Sequence, residues 1–257
     1  TPRLFGHRGA AGVAPENTLP SFRRALADGV DVFELDVHAT RDGEVVVLHD
    51  PTLERTTDGA GPVSALTFAE LSRLDAGHRF SADGGRTFPF RGQSVRVPRL
   101  ADLLLEFPEV ALNIEIKSEG SAIMAAVVRM VRAARAPIVL AAEHDAIMHA
   151  IRAAAPEVPT SLATGEVAAF IGALQAGESP PLPEGAVALQ IPPSFGDVTL
   201  VSAASVAAAH ALGAEIHVWT INDPAEARRL LDLGCDGIMT DVPHVVRPTI
   251  TERRAAS

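Results

Sequence analysis

Residues 32–49 read "VFELDVHATRDGEVVVLH" and contain two apolar runs, Val32–Val37 and Val45–His49, that are typical of buried strands. In the first run Glu34 and Asp36 are two positions apart, so both carboxylates lie on the same face of the predicted strand. The apolar residues between and beside them face the other way, toward a layer of helices. Such a strand predicts a sheet with a covered apolar side and a charged inner side.

The same alternation of strand and helix patterns extends along the whole chain. The predicted strands are Arg3–His7, Val32–Val37, Val45–His49, Ala111–Lys117, Ile138–Ala142, Thr160–Ala163, Ala186–Ile191, Glu215–Thr220 and Gly237–Thr240. The predicted helices are Leu19–Asp28, Phe68–Arg73, Ala101–Glu106, Ser121–Ala134, Ala146–Ala155, Glu166–Ala176, Ala203–Leu212 and Ala225–Leu233. About eight βα units favour an α/β fold of the (β/α)8 TIM-barrel type. An open dinucleotide-binding sheet is disfavoured because no G-x-G-x-x-G follows the first strand.

One segment, from Asp50 to Arg99, interrupts this alternation. It contains six glycines and a single short helical pattern, and it is too long for an ordinary βα loop. Its scattered Phe and Leu residues predict an ordered structure that covers one end of the barrel. We therefore expect one domain over residues 1–257, with a small inserted cap subdomain at residues 51–97 after the second strand unit.

Composition and charge restrict the functional class. The hydrophobic fraction of 47% supplies a sizeable core, and the net charge of −10 argues against nucleic acid as a partner. No apolar run is long enough to span a membrane, so no stable membrane insertion is expected. Cys235 is the only cysteine, which is compatible with the cytoplasmic location that we expect; a removed secretion signal is the alternative.

A third carboxylate is predicted beside the first two. In "LNIEIKS" (112–118), Glu115 and Lys117 share one face of the next barrel strand. Glu34, Asp36 and Glu115 would then meet near the carboxyl ends of neighbouring strands, where barrel enzymes place their active sites. Three oxygen donors suit a divalent cation, Mg²⁺ or Ca²⁺, and the alternative is an ion network with arginines.

Basic and titratable residues surround this predicted site. Lys117 is the only lysine among 22 basic residues, and a compact ammonium beside carboxylates would attract a phosphate. Arg8 can bind phosphate oxygens with its planar guanidinium. His7 and His49 end two predicted strands, and together they could remove a proton from the attacking oxygen and supply one to the leaving oxygen.

These motifs, taken in order, resemble the glycerophosphodiester phosphodiesterase family over essentially the whole chain. The resemblance is carried by "HRG" (7–9), "PENT" (15–18), "ELDVHATRDG" (34–43), "VVLHD" (46–50), "LERTTDGAG" (53–61), "LDAG" (74–77), "EIK" (115–117), "WTIN" (219–222) and "GCDGIMTDVP" (234–243). It implies a TIM barrel with a small insertion and a metal-dependent hydrolase that releases an alcohol and sn-glycerol 3-phosphate from a small glycerophosphodiester. It also implies Mg²⁺ or Ca²⁺ on Glu34, Asp36 and Glu115, with His7 and His49 as the acid/base pair and Arg8 and Lys117 on the phosphoryl group.

Further residues are assigned by their positions at strand ends. Gln190 and Trp219 are expected to bind substrate, with core packing as the alternative for each. Asp241 is expected to hold the last βα turn, and Glu16 and Asn17 are expected to brace the first loop.

Two other functions remain open at this point. A phospholipase D-like enzyme acting on lysophospholipids or sphingolipids would need an apolar entrance, which the cap phenylalanines Phe68, Phe80, Phe88 and Phe90 could form. A non-catalytic phosphate-ligand binding barrel is the third possibility. The head-group alcohol, the oligomeric state and the choice between attack by water and attack by the glycerol 2-hydroxyl are likewise open.

Overall fold

A computed structural model describes residues 1–256 of the protein. The strands are β1 (Arg3–Gly6), β2 (Val32–Ala39), β3 (Val45–Val47), β4 (Ala111–Ile116), β5 (Ile138–Ala141), β6 (Thr160–Ser161), β7 (Ala186–Ile191), β8 (Ser194–Phe195), β9 (Val198–Thr199), β10 (Glu215–Val218) and β11 (Gly237–Thr240). The helices are α1 (Leu19–Ala27), α2 (Phe68–Leu71), α3 (Leu100–Glu106), α4 (Ser121–Ala133), α5 (Asp145–Ala154), α6 (Thr164–Ala176), α7 (Ala203–Ala211), α8 (Pro224–Asp232) and α9 (Pro243–Ala255). A 3₁₀ turn covers Val63–Ala65.

Eight parallel strands close into a barrel. Their order is β1-β2-β4-β5-β6-β7-β10-β11, and β11 pairs again with β1. Each barrel strand is followed by a helix that packs outside the sheet, so the predicted (β/α)8 TIM barrel is confirmed. Phe33, Leu35 and Val37 are fully buried in the layer between strands and helices, as the alternation in β2 predicts.

The strand predicted at residues 45–49 is shorter in the structure and pairs in a different way from the barrel strands. Strand β3 ends at Val47 and pairs antiparallel with β2, so it forms a hairpin with β2 and is not a barrel strand. The Leu48 amide still donates to the Asp36 carbonyl at 2.9 Å, which holds the following residue, His49, against the end of β2. An apolar run of five residues does not reveal the direction of its partner strand.

Two elements are absent from the sequence prediction. Helix α9 closes the eighth βα unit, but its internal Pro248 conceals a helical pattern. The hairpin β8–β9 has strands of only two residues, too short to show alternation. Among residues 1–256, no helix has the length and apolarity needed to cross a membrane.

Residues 51–97 carry a small hydrophobic cluster separate from the main core. Its buried members are Val46, Leu48, Leu53, Val63, Leu71, Ala76, Val95 and Val97. Because Val46 lies in β3 and Leu48 directly follows it, the cluster attaches this segment to the barrel beside β2. That these residues form an inserted cap subdomain within a single domain stays a prediction.

The conformation of the loop after β1 requires a glycine at position 9. Its φ is +88°, and a Cβ placed there would lie 2.5 Å from the Ser21 side-chain oxygen. We expect Gly9→Ala to lower the free energy of unfolding by about 2–4 kcal/mol, from left-handed strain plus overpacking. Gly43→Ala is the matched control, because Gly43 has φ +83° and open space around it. Urea denaturation should show a loss of only about 1 kcal/mol there; equal losses in both variants would contradict the packing argument.

Candidate active site

A cavity of about 510 Å³ opens at the carboxyl ends of the barrel strands. All nine side chains predicted from the sequence as site residues line it. They are His7, Arg8, Glu34, Asp36, His49, Glu115, Lys117, Gln190 and Trp219. A volume of this size suits a small-molecule ligand.

Three carboxylates meet on one side of this cavity. Glu34 and Asp36 point inward from β2, and Asp36 is in register with Glu115 on the neighbouring strand β4. One carboxylate oxygen from each residue lies within 4.8 Å of the other two. The period-two geometry of parallel strands therefore produces the predicted cluster.

Lys117 and Arg8 partly neutralise the carboxylates. Lys117 Nζ lies 2.8 Å from Glu115 Oε1 and 3.4 Å from Asp36 Oδ1, and Arg8 Nε lies 3.4 Å from Asp36 Oδ2. Burial raises the pKa of Asp36, but Lys117 and Arg8 outweigh this effect, so the pKa stays below its ordinary value. Asp36 is therefore ionised at neutral pH.

Glu34 has the opposite electrostatic environment. It is only 5% exposed, and burial together with the charge of Asp36 raises its pKa to about 7. Burial and Asp36 also raise the pKa of Glu115, although Lys117 opposes the shift. With all three carboxylates ionised, the cluster would carry more negative charge than Lys117 and Arg8 balance, which suits it to a further cation.

His7 and His49 share one arrangement. His7 Nδ1 lies 2.6 Å from Asp241 Oδ1, and His49 Nδ1 lies 2.6 Å from Asp50 Oδ1. Burial raises the pKa of Asp241, but its hydrogen bond with His7 lowers it below the ordinary value; a hydrogen bond from Arg55 lowers the pKa of Asp50 to about 2. Ionised aspartates only accept hydrogen bonds, so each Nδ1 must donate, and each Nε2 is left for the cavity.

The environment of His7 favours its protonated form. Burial lowers its pKa, but the hydrogen bond with Asp241 and the charge of Glu34 outweigh burial and raise the pKa above the ordinary value. The Nε2 atom of His7 lies 4.0 Å from Glu34 Oε2. An imidazole held in this way can carry a proton close to the carboxylate cluster.

The first loop holds Arg8 at the cavity. Its φ of 49° is left-handed, and its backbone amide donates to Glu34 Oε2 at 3.0 Å. The side chain donates to Glu16 at 2.9 Å, whereas Nε is buried without a hydrogen-bond partner. Asn17 donates to Asp36 at 2.9 Å, so the bracing residues contact the site groups themselves.

Gln190 and Trp219 occupy different depths of the cavity. The Gln190 amide donates to Asn113 Oδ1 at 2.7 Å, which ties it to the barrel interior. Trp219 is 42% exposed at the rim and presents a free aromatic surface. Substrate binding by either residue stays a prediction.

The apolar wall of the cavity does not come from the predicted source. None of the phenylalanines at residues 68–90 lines it, and Phe80 packs edge-on against Phe90 at 5.3 Å. The apolar lining lies on the side of β6, β7 and β10. Its larger residues there are Leu162, Val167, Ile191, Phe195, Leu200 and Trp219, and Met239 lines the cavity from β11.

Sequence reasoning missed three residues that matter at this site. Asp50 and Asp241 hold the two histidines, and Glu143 lines the cavity near enough to Glu115 to help raise the pKa of that carboxyl. Asp50 directly follows His49 in "VVLHD", which was the one available signal. Nothing in the sequence indicated that Asp241 contacts His7. Asp241 also bonds to Asn222 in the loop between β10 and α8, and that it holds the last βα turn stays a prediction.

Comparisons with known proteins agree with this architecture. The family model of the glycerophosphoryl diester phosphodiesterases matches residues 7–245. A glycerophosphodiester phosphodiesterase of Agrobacterium tumefaciens is 28% identical, with a TM-score of 0.75 over 96% of this chain and 100% of its own. An Oleispira antarctica phosphodiesterase solved with its product sn-glycerol-3-phosphate is 26% identical, with a TM-score of 0.76 over 97% of both chains. Mouse lysophospholipase D GDPD1 is 29% identical over 94% of this chain and 83% of its own length.

The fold and these comparisons define a TIM-barrel phosphodiesterase. The chain belongs to the glycerophosphoryl diester phosphodiesterase family, as its motifs predict.

Proposed function

We propose that this protein hydrolyses small glycerophosphodiesters to an alcohol and sn-glycerol 3-phosphate. The observation that carries the proposal is the meeting of three carboxylates, two cations and two aspartate-bound histidines in one cavity. The Oleispira relative, which binds sn-glycerol-3-phosphate as its product, supports this substrate class.

Glu34, Asp36 and Glu115 would hold a divalent cation, Mg²⁺ or Ca²⁺. Their donors are all carboxylate oxygens close enough together to share one ion. The raised pKa values of Glu34 and Glu115 fit a site that lacks positive charge, which such an ion would supply. When bound, the cation supplies Lewis-acid stabilisation of charge on the phosphate.

Arg8 and Lys117 would orient the phosphodiester. The buried Nε of Arg8, which has no hydrogen-bond partner, lies near Asp36 Oδ2, and the ammonium of Lys117 lies near Asp36 Oδ1. Burial lowers the pKa of Lys117, but Glu115 and Asp36 raise it above the ordinary value, so the ammonium keeps its charge. Both cations can therefore stabilise negative charge that grows on the phosphoryl oxygens.

His7 and His49 would carry the two protons of the reaction. One Nε2 accepts the proton of the attacking hydroxyl, which comes from water or from the glycerol 2-hydroxyl. The other Nε2 donates a proton to the alcohol oxygen as the bond from phosphorus to that oxygen breaks. If the 2-hydroxyl attacks, this step leaves a cyclic phosphate, which water then opens to sn-glycerol 3-phosphate. In that second step the histidine that gave up its proton accepts one from water, and the other histidine returns its proton to the 2-oxygen. Asp241 and Asp50 keep both rings in the required tautomer.

Chelation tests the proposal directly. We expect purified protein to release sn-glycerol 3-phosphate from glycerophosphocholine, to lose this activity in EDTA, and to regain it with Mg²⁺ or Ca²⁺. A coupled assay for glycerol 3-phosphate, with circular dichroism to check folding, measures the outcome. Folded protein that is inactive on choline, ethanolamine, glycerol and inositol diesters with either ion would overturn the proposal.

Hydrolysis of lysophospholipids is a second candidate, because one wall of the cavity is apolar. Phe195 on the β8–β9 hairpin is 77% exposed, and Leu162 and Leu200 continue the apolar surface into the cavity. Such a surface could receive an acyl chain. The same assay with lysophosphatidylcholine and choline detection decides: a higher kcat/KM for the lysolipid than for glycerophosphocholine would favour this candidate.

A further inference from the structure

Arg55 lies in the segment 51–97 and does not line the cavity, yet it contacts two acidic residues that hold site groups. Its Nε donates to Asp50 Oδ2 at 2.5 Å, and its Nη2 donates to Asp50 Oδ1 at 3.1 Å. Its Nη1 and Nη2 also donate to the two oxygens of Glu16 at 2.6 and 2.7 Å. One guanidinium therefore joins two carboxylates that lie 34 positions apart in the sequence.

Each of these carboxylates also bonds to a residue that lines the candidate active site. Asp50 accepts a hydrogen bond from His49, and Glu16 accepts one from Arg8. The five side chains form an unbroken line, which we name the Arg55 bridge: His49, Asp50, Arg55, Glu16 and Arg8. It connects a proposed acid/base group with a proposed phosphate-binding group around the outside of the cavity.

We propose that Arg55 is a positioning residue, contributed by the inserted segment, that sets the orientation of His49 and Arg8 together. This inference rests on the proposed function for its kinetic consequence, but the geometry of the bridge does not depend on the substrate. Nothing in the family resemblance or in the comparisons gives Arg55 this role.

The chemistry of the bridge requires an arginine. A guanidinium carries five N–H donors in a planar fork, so it can bind both oxygens of two carboxylates at once, whereas a lysine offers a single point charge. The hydrogen bonds from Arg55 hold the pKa of Asp50 at about 2, which keeps Asp50 an acceptor for His49. Burial raises the pKa of Glu16, but the hydrogen bond from Arg55 and the charge of Arg8 lower it below the ordinary value.

A merely structural role for Arg55 is the competing explanation. Arg55 is 46% exposed at its side chain, and isolated surface ion pairs contribute about 0–1 kcal/mol to stability. Its partners are better shielded, with side chains 17% and 25% exposed, and both contacts are bidentate. If loss of Arg55 lowers the free energy of unfolding only slightly but lowers activity strongly, Arg55 positions site residues. If both fall together, it mainly attaches residues 51–97 to the barrel.

Arg41 provides the matched control. It lies in the β2–β3 hairpin and bonds to the Ala65 carbonyl at 2.8 Å and to Glu70 at 3.1 Å. Like Arg55, it ties the barrel to residues 51–97, but neither of these contacts leads to the cavity. Arg41→Ala should therefore show what loss of an attaching arginine does without the bridge.

We expect Arg55→Ala to lower kcat about 10- to 100-fold, with a raised KM, because both His49 and Arg8 lose their support. Arg55→Lys should restore only part of the activity, and added guanidinium should partly rescue Arg55→Ala but not His49→Ala. Asp50→Asn should reproduce mainly the fall in kcat, and Glu16→Gln mainly the rise in KM. Arg41→Ala should keep both values.

A second measurement, by NMR, tests the Arg55 bridge without requiring the protein to turn over a substrate. In metal-free protein, the Nδ1–H resonance of His49, assigned with His49→Ala, should change in Arg55→Ala and Asp50→Asn and stay unchanged in Arg41→Ala. If Arg55→Ala does not fold, the same comparison is made with Arg55→Lys. If the native protein turns over no phosphodiester, the proposed function fails and this resonance alone decides the inference. Kinetics of Arg55→Ala equal to those of Arg41→Ala, or an unchanged His49 resonance, would overturn it.

Discussion

Replacing either His7 or His49 with alanine should lower kcat on glycerophosphocholine by about 10²- to 10⁴-fold. Each ring has Nδ1 bound to an ionised aspartate, so its Nε2 is the only nitrogen left to transfer a proton. Because we propose that the two rings serve opposite proton transfers, losing either one should block the same reaction. The double variant should therefore lose little more than the single variants.

Steady-state kinetics on variants with native circular dichroism measure this effect. His149→Ala is the control, because the His149 side chain is 70% exposed on α5 and lies outside the cavity lining. The pH profile of kcat/KM should lose one limb in each active-site variant and keep both limbs in the control. Near-native activity in either His7→Ala or His49→Ala would refute the acid/base assignment.

Replacing Glu34 with glutamine should make the metal-free protein more stable and the metal-loaded protein much less active. Burial and the charge of Asp36 raise the Glu34 pKa from 4.5 to about 7, so ionising this side chain opposes folding at neutral and alkaline pH. Removing the charge should increase the free energy of unfolding at pH 8 on the order of 3 kcal/mol. The glutamine carbonyl can still accept the Arg8 amide.

The stability difference between the native protein and Glu34→Gln changes in size with pH, and it should change in sign when metal is bound. The folded-state pKa is above the unfolded value, so the native protein loses stability relative to Glu34→Gln as pH rises from about 4.5 to about 7. Urea denaturation should show a small difference at pH 4 and the full difference at pH 8. Saturating Mg²⁺ or Ca²⁺ should reverse the order, because the proposed ion would bind the folded native site and not the unfolded chain. A Glu34→Gln variant that is less stable at pH 8 without metal would contradict the argument.

Local patterns were enough to predict the barrel. Regular alternation of strands and helices leaves few ways to cover the apolar faces, and a closed parallel sheet is the one that about eight units favour. The positions of Glu34 and Asp36 followed from the two-residue period of β2 alone. Glu115 joined them because β4 is the next barrel strand, in register with β2.

Other features of the site could not be predicted from local pattern. The β3 run has the composition of a barrel strand, and only its antiparallel pairing with β2 shows how His49 reaches the cavity. The phenylalanines of residues 68–90 pack among themselves or against arginines rather than forming the entrance. The exposed Phe195, on a hairpin that the sequence did not reveal, supplies part of the apolar wall instead.

The barrel, the inward-facing carboxylates and nine of the residues that line the cavity can be predicted from the sequence, because strand periodicity and strand-end position are local properties. The partners that hold these residues become visible only in the folded structure. The bond between His7 and Asp241 spans 234 positions, and the one between Arg55 and Glu16 spans 39. Closure of the barrel places β1 beside β11, and packing of residues 51–97 beside β2 places Arg55 at the first loop. Contacts of this kind depend on how distant elements meet, a property that no local spacing encodes.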